Sequence, residues 1–400
     1  MGLEQAHSIE DLRRLARRRL PRGVFDFFDG GAEDETTLRA NREGFERIRL
    51  RPHLLVDVQR PDLSTTILGT RAAAPIVIAP TGAIGAGWPN ADVAIAKVAA
   101  RLGIPYTLST AATNTIEEIA QQAGGRLWFQ LYVLRDGAFR DKLVQRAAAA
   151  GYEALVVTVD LPTAGKRERD LRNRFTVPLR VNWTTVRDFA SHPAWCWQML
   201  RHGQPRFENL HGYEGATDTR AAIAAQSKEA SRLCATFAAM AAQSLDASFD
   251  WAALQRLRDA WRGKLLVKGV TRGEDAARLA CVGVDAVWVS NHGGRQLDGS
   301  IATADALPDI AQAVDGRVPI VIDSGVRRGV DIVKAVARGA QAVAIGRATL
   351  YGAAAGGQAG AERAIAILTE ELRRAMQLCG TPRVADIGPE LLQMPIGRGA

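Results

Sequence analysis

The sequence predicts a (β/α)8 barrel of the TIM type, built as one domain over residues 1–400 with a helical extension at the N-terminus and a long insertion after the fourth strand. Three observations predict it. Short, nearly all-apolar runs recur along the chain, helical patterns separate them, and there are eight of them. Apolar strands alternating with helices are what a parallel sheet needs when its outer face is covered, because both faces of each strand are then buried. Eight such units close a barrel, whose functional groups collect at the C-terminal ends of the strands. With 400 residues and 47% hydrophobic side chains, the chain can bury a core of that size.

The elements follow in order. Ser8, with Asp11 three residues later, opens a helical preface. The first four strands are read at 75–79, 106–108, 127–132 and 154–159, and the last four at 265–268, 286–290, 319–323 and 342–346. Helical periodicity fits at 91–102, 136–150, 273–282, 304–314 and 328–338, with a last helix from about Ala361 to Leu378. Gly82 to Gly87 has the look of a dinucleotide loop but lacks the βαβ setting and distant acid of that fingerprint, so it is read as a close-packed loop.

The insertion runs from about Leu161 to Asp250, far longer than a connecting loop usually is. Within it, 176–213 carries Trp183, Trp195 and Trp197 beside Arg180, Arg187, Arg201 and Arg206. Rings at headgroup depth and cations on anionic lipid suit a membrane-association segment. A lid or subunit contact that buries the same tryptophans is the competing reading. On the membrane reading the segment is removable, and its deletion leaves a soluble, active enzyme.

Composition excludes several classes. No apolar run reaches the roughly 20 residues of a spanning helix and the start shows no signal-peptide core, so the chain is read as cytoplasmic. Cys196, Cys234, Cys281 and Cys379 lack the close spacing of a metal or redox motif, so no metal is expected. The net charge of +8 comes from scattered Lys and Arg without an aromatic-interleaved module, so nucleic acid is not expected as a partner.

The polar residues at the strand ends nominate the site: Thr81, Ser109, Gln130 with Tyr132, Thr158 with Asp160, Lys268, Ser290 with His292, Asp323, and Gly346 with Arg347. Asp323 to Gly329 followed by Gly346-Arg347 reads as an anion cradle, with glycines that expose backbone amides and flanking arginines that include Arg327. A phosphate-bearing ligand follows, either substrate or cofactor. His292 is a base near neutral pH, with Arg295 three residues on to fork onto a carboxylate. Asp160 is its orienting partner, against the bland reading of a helix N-cap ahead of Pro162. Arg167 is either one charge on a solvated face or a second clamp for the carboxylate. Lys268 in the mouth faces an electron-rich ligand or a carboxylate: in a flavin site it stands beside the ring locus where negative charge accumulates on reduction, and in an aldolase-like site it forms a Schiff base.

The motifs Gly30 to Asp34, Ala79-Pro80-Thr81-Gly82, Phe129 to Tyr132, Thr158-Val159-Asp160, Arg167 to Asp170, Asn173-Arg174-Phe175, Leu266 to Gly269, Ser290 to Gly299 and Asp323 to Gly329 resemble the FMN-dependent (S)-2-hydroxy acid oxidases and dehydrogenases over nearly the whole chain. The resemblance implies FMN against Ala79, Pro80, Thr81, Gly82, Ser109, Gln130, Thr158, Lys268, Ser290 and Asp323, with its phosphate on Gly325, Arg327, Gly346 and Arg347. It also implies His292 as base with Asp160 in support, and Arg167, Arg295 and Tyr132 on the substrate carboxylate. Phe27 stands where the family usually has a second active-site tyrosine. Ala111 stands where some members have a bulky tryptophan, which leaves room for a side chain as large as phenyl.

The implied reaction takes an (S)-2-hydroxy acid, mandelate-like or lactate-like, to the 2-oxo acid. Gly82 and the texts His192 to Trp195 and Asp246 to Trp251 look like membrane-associated, quinone-linked members, which implies a quinone acceptor, peripheral attachment to the inner face of the cell membrane, and a homotetramer. The alternatives are an oxidase that uses oxygen and a non-redox barrel enzyme of isomerase or aldolase type.

Overall fold

The computed structural model describes residues 2–175, 179, 183–210 and 244–393. Helices α1 (Ile9–Arg19), α2 (Arg22–Asp29) and α3 (Thr36–Arg47) form the N-terminal extension, and a small antiparallel hairpin, β1 (Thr65–Ile67) and β2 (Thr70–Ala72), follows. Ser8 caps α1 by accepting from the Asp11 amide at 3.1 Å, which satisfies one of the free N–H groups at the helix start.

Eight parallel strands then close on themselves: β3 (Ile76–Ile78), β4 (Tyr106–Ser109), β5 (Leu127–Tyr132), β6 (Ala154–Thr158), β7 (Lys264–Val270), β8 (Ala286–Val289), β9 (Ile320–Ile322) and β10 (Ala342–Ile345), with β10 pairing β3 to seal the barrel. The connecting helices are α4 (Ala91–Arg101), α5 (Ile116–Ala123), α6 (Gly137–Ala149), α7 (Glu168–Asn173), α8 (Trp183–Ala190), α9 (Pro193–His202), α10 (Trp251–Ala260), α11 (Gly273–Val282), α12 (Thr303–Val314), α13 (Gly329–Ala337) and α14 (Arg347–Cys379).

The barrel interior is packed solid below its mouth. Trp128 and Trp288, both fully buried, meet edge to face at 6.3 Å among Val77, Val156, Leu266 and Val321. Ile67 and Leu68 of the hairpin join this inner cluster and plug the N-terminal end, where Arg126, just ahead of β5, donates to the Ile67 carbonyl at 2.7 Å. The mouth at the opposite end stays open and holds a cavity.

Two departures from the sequence reading are local. The last helix begins at Arg347 rather than near Ala361, since the glycine-rich stretch before it continues as helix across a kink at Gly356 and Gly357. The 65–72 hairpin was not anticipated, because its strands are only three residues long.

Within 176–213 of the insertion, residues 176–178, 180–182 and 211–213 lie outside the described residues, and with them Arg180. Of the rest, Trp195 is 2% exposed, packs on Phe189 at 5.0 Å, and donates its indole N–H to the Ala86 carbonyl at 2.8 Å. Trp197, two residues on and so on another side of α9, is 66% exposed, and Leu200 is 79% exposed. The helix is two-faced: one side packs through Trp195 against the loop that carries Ala86, and the other turns Trp197 and Leu200 outward. Among the described residues, no helix is long and apolar enough to cross a membrane.

Candidate active site

The residues that end the strands surround one cavity of about 1010 Å³, counting the space at its open mouth. Its wall brings together Ala79, Pro80, Thr81, Gly82, Gln130, Tyr132, Thr158, Arg167, Lys268, His292, Arg295, Asp323, Gly325, Arg327, Gly346 and Arg347, drawn from every strand of the barrel except β4. Phe27 and Phe28, at the end of α2, close one side.

His292 sits just past β8 with φ of +57, a conformation that a side chain with a Cβ seldom adopts. Its amide donates to Ser290 Oγ at 3.1 Å. Its Nδ1 lies 3.0 Å from Asp160 Oδ1, and its Nε2 lies 3.4 Å from the Tyr132 hydroxyl inside the cavity. Space for Asp160 comes from Gly269, which interrupts the register of β7 at φ +111 and where a Cβ would stand 2.6 Å from that of Asp160. Burial lowers the pKa of His292 and the Asp160 carboxylate opposes that shift, with a net lowering. At neutral pH the imidazole is therefore uncharged, as a base must be.

Lys268 is buried, donates to Ser290 Oγ at 2.8 Å, and lies 3.5 Å from Asp323 Oδ2. Burial pulls its pKa down, but Asp323 and Asp160 outweigh it and the net shift is upward. A Schiff-base lysine must be neutral to attack, so this environment runs against the aldolase reading. Asp323 also accepts from Ser290 Oγ, Ser324 Oγ and the Trp288 indole, at 2.7, 2.7 and 3.0 Å. The sequence suggested an anion cradle beginning at Asp323; the structure instead gives that carboxylate the task of holding Lys268 and Ser290 in place. Ser109 and Ser290 stand behind the wall, with Ser109 Oγ donating to Gln130 Oε1 at 3.1 Å. Ala111 is also behind it, 3.1 Å from where a Cβ on Gly82 would be.

The opposite side of the cavity is crowded with cations. Arg167 is 6% exposed, which ends the reading of it as a solvated charge, and it lies 3.9 Å from Asp170. Arg295 donates to the carbonyls of Phe27 and Gly30 at 2.7 and 2.8 Å, with its guanidinium 5.2 Å from the Phe27 ring centre. Arg347 donates to the carbonyls of Phe28, Gly293 and Gly30. Burial, with Arg167 and Arg347 adding repulsion, pushes Arg295 down to about 9. Burial also lowers Arg327. Four guanidinium groups and an ammonium group against Asp323 and Asp160 form a pocket built for an anion.

Sequence reasoning missed the parts that brace this wall. Asn41 on α3 and Asn291 exchange two amide hydrogen bonds of 2.8 and 2.7 Å, tying the His292 loop to the extension, and Phe175 stacks on Phe27 at 4.5 Å. Asn291 and Phe175 stand in motifs that the sequence marks, but that Asn291 meets Asn41 and Phe175 meets Phe27 is a pairing across the fold that one sequence does not display.

A flavin mononucleotide can be tested against these residues directly. Consecutive left-handed backbones at Ser324 and Gly325 make a concave turn, and a Cβ on Gly325 would stand 2.2 Å from the Asn41 carbonyl. The Gly346 N-cap of α14 has no side-chain cap, so amides at that helix start face the cavity with Arg327 and Arg347 beside them. The site therefore offers a phosphate cradle at one end and Gln130, Thr158 and Lys268 as polar partners for a ring at the other. The donor set fits FMN.

Residues 16–394 match the model of the FMN-dependent dehydrogenases. The chain is 43% identical over 386 residues to (S)-mandelate dehydrogenase of Pseudomonas putida, covering 96% of this chain and 93% of that protein. It is 41% identical over 392 residues to L-lactate dehydrogenase of Caulobacter vibrioides, covering 98% of each. Among solved structures it is similar to the monotopic membrane protein (S)-mandelate dehydrogenase, with a TM-score of 0.88 and 42% identity over 97% of this chain and 99% of that one. It is also similar to mandelate oxidase with (S)-4-hydroxymandelic acid, at 0.82 and 35% over 97% and 98%.

Proposed function

We propose that this chain, which belongs to the FMN-dependent dehydrogenase family, oxidises an (S)-2-hydroxy acid of mandelate-like or lactate-like size to the 2-oxo acid. The observation that carries this is the position of His292 Nε2, which opens into the cavity beside Tyr132 while Arg167 and Arg295 line the same cavity. Two guanidinium groups supply the charge that a substrate carboxylate needs, and a bidentate grip by either would fix the adjacent carbon. With its Nδ1 proton held on Asp160, His292 takes the hydroxyl proton at Nε2, and the carboxylate stabilises the imidazolium that results. Tyr132 orients the substrate oxygen next to that nitrogen. FMN, held by the residues named above, would supply the acceptor for the two electrons and the hydrogen that the α-carbon gives up. Lys268, kept charged by Asp323, adds a positive field at the ring end of the cavity.

Attachment to the inner face of the cell membrane and transfer of the electrons to a quinone complete the proposal. Support comes from the outward face of α9, where Trp197 and Leu200 are exposed next to Arg201, and from the net charge of +8. A homotetramer is the proposed assembly, which light scattering measures directly.

The test is anaerobic mixing of the yellow enzyme with (S)-mandelate and with L-lactate. Loss of the visible flavin band with at least one of them is expected, and the reading fails if no 2-hydroxy acid bleaches it. His292→Ala should keep the colour and lose the bleaching. Reoxidation by a quinone analogue faster than by oxygen separates the dehydrogenase from an oxidase, and co-sedimentation with anionic vesicles that is lost in Trp197→Ser supports the membrane contact.

A further inference from the structure

Among the buried residues of 183–210, Trp195 and Asn209 each hydrogen-bond to a loop at the barrel mouth. Trp195 donates to the Ala86 carbonyl in the loop between β3 and α4, the loop that carries Gly82 and Ala83 into the cavity wall. Asn209, fully buried, donates to the Asn114 carbonyl at 3.1 Å and accepts from the Ile116 amide at 3.0 Å. Both partners lie at the end of the loop between β4 and α5, which carries Ala111. Ile116 is the first residue of α5, and Asn209 accepts from its amide beside the capping box that Thr115 and Glu118 form at the same helix start.

The two loops are themselves joined. The Ala83 amide donates to the Ala111 carbonyl at 2.9 Å and the Gly85 amide to Thr113 Oγ1 at 3.2 Å. Arg19 braces the same region, with its guanidinium 4.3 Å from the Trp88 ring centre while also bonded to Gln198 of α9. The insertion therefore grips both loops, the one that brings Gly82 to the cavity and the one that backs it with Ala111, at separate points, with two side chains 14 positions apart in sequence.

We propose that Trp195 and Asn209 are positioning residues that set substrate specificity, fixing how far the Gly82–Ala111 wall stands from the side chain of the bound acid. This rests on the reading of the cavity as a 2-hydroxy acid site. Neither residue lines the cavity, so each acts through the backbone it holds. Loss of either hydrogen-bond set loosens the wall against large side chains and leaves the carboxylate grip intact, since Arg167 and Arg295 belong to other elements.

The experiment uses flavin-loaded full-length enzyme with Trp195→Phe, Asn209→Ala and Asn209→Asp. Affinity is read from perturbation of the visible flavin band on titration with phenylglyoxylate and with pyruvate. A single buried hydrogen bond converts to roughly a three- to tenfold effect, so phenylglyoxylate should bind about fivefold more weakly to Trp195→Phe and Asn209→Ala, and pyruvate less than twofold more weakly. Asn209→Asp, which keeps the acceptor for Ile116, should fall between. Deuterium exchange should rise at 82–88 in the tryptophan variant and at 110–116 in the asparagine variants, with the barrel strands unchanged. Equal losses for both ligands, or no change in either loop, overturn the proposal, and if one variant fails to fold the others still decide. A wild type that binds both ligands and is bleached by no hydroxy acid would defeat the proposed function while these affinities still judge the positioning role.

Discussion

Phe27 shows how one atom can tune the site. Its ring lies between Arg295 and Phe175, and its carbonyl accepts from the same arginine, so side chain and backbone together hold the guanidinium. Phe27→Tyr adds a hydroxyl on the cavity side of that contact. A hydrogen bond to a charged group contributes about 1.5–3 kcal/mol, so KM for a simple hydroxy acid should fall by about tenfold, and unchanged kinetics would place Phe27 outside the substrate's reach. His292 gives a second prediction. Its folded pKa lies below its ordinary value because burial outweighs Asp160. Asp160→Asn removes the opposing charge, so the pKa falls further. The acid limb of kcat/KM, which rises as His292 loses its proton, should move to lower pH while the maximum drops, and a limb that stays in place in stopped-flow flavin reduction would separate the two residues. The same sign governs stability: the unfolded chain takes up the His292 proton first as pH falls, so this group costs stability on the acid side.

The barrel elements were legible because a strand buried on both faces has almost no polar freedom until its end, which also marked where functional groups stand. Thr158, Lys268, His292 and Asp323 were found that way, and the structure gathers them around one cavity. Contacts between elements were not legible. That Gly325 must be glycine follows from Asn41 on α3, nearly three hundred positions away, whose carbonyl a Cβ would strike. Gly325→Ala, strained further by φ of +98, should yield a folded barrel that purifies nearly colourless, read as the ratio of flavin to protein absorbance with the far-ultraviolet spectrum unchanged. A variant as yellow as the wild type would remove Gly325 from the phosphate cradle. The insertion was legible only as a composition, since aromatic and basic residues compose a membrane face and a packed one equally well. Only the fold separates Trp195, turned inward, from Trp197, turned out.

At the scale of the molecule, the chain carries a net charge of +8, and five of its cationic side chains, Arg167, Lys268, Arg295, Arg327 and Arg347, line the cavity at the mouth of the barrel. Arg295 and Arg347 are held by backbone carbonyls and Arg167 lies beside Asp170, yet Arg167 and Arg347 still repel Arg295 in the flavin-free chain. Such a chain is a receptor for small oxyanions before it is a flavoenzyme. Sulfate or phosphate should raise its melting temperature well beyond chloride at matched ionic strength, by about 2.7 kcal/mol of stability at one hundred times the dissociation constant, and Arg327→Gln should remove most of that increment. A melting temperature indifferent to the anion would mean the repulsion is already dispersed. If it is not, supply of the cofactor during synthesis governs how much of this protein survives to fold, and cells short of riboflavin would hold less of the polypeptide as well as less of its activity.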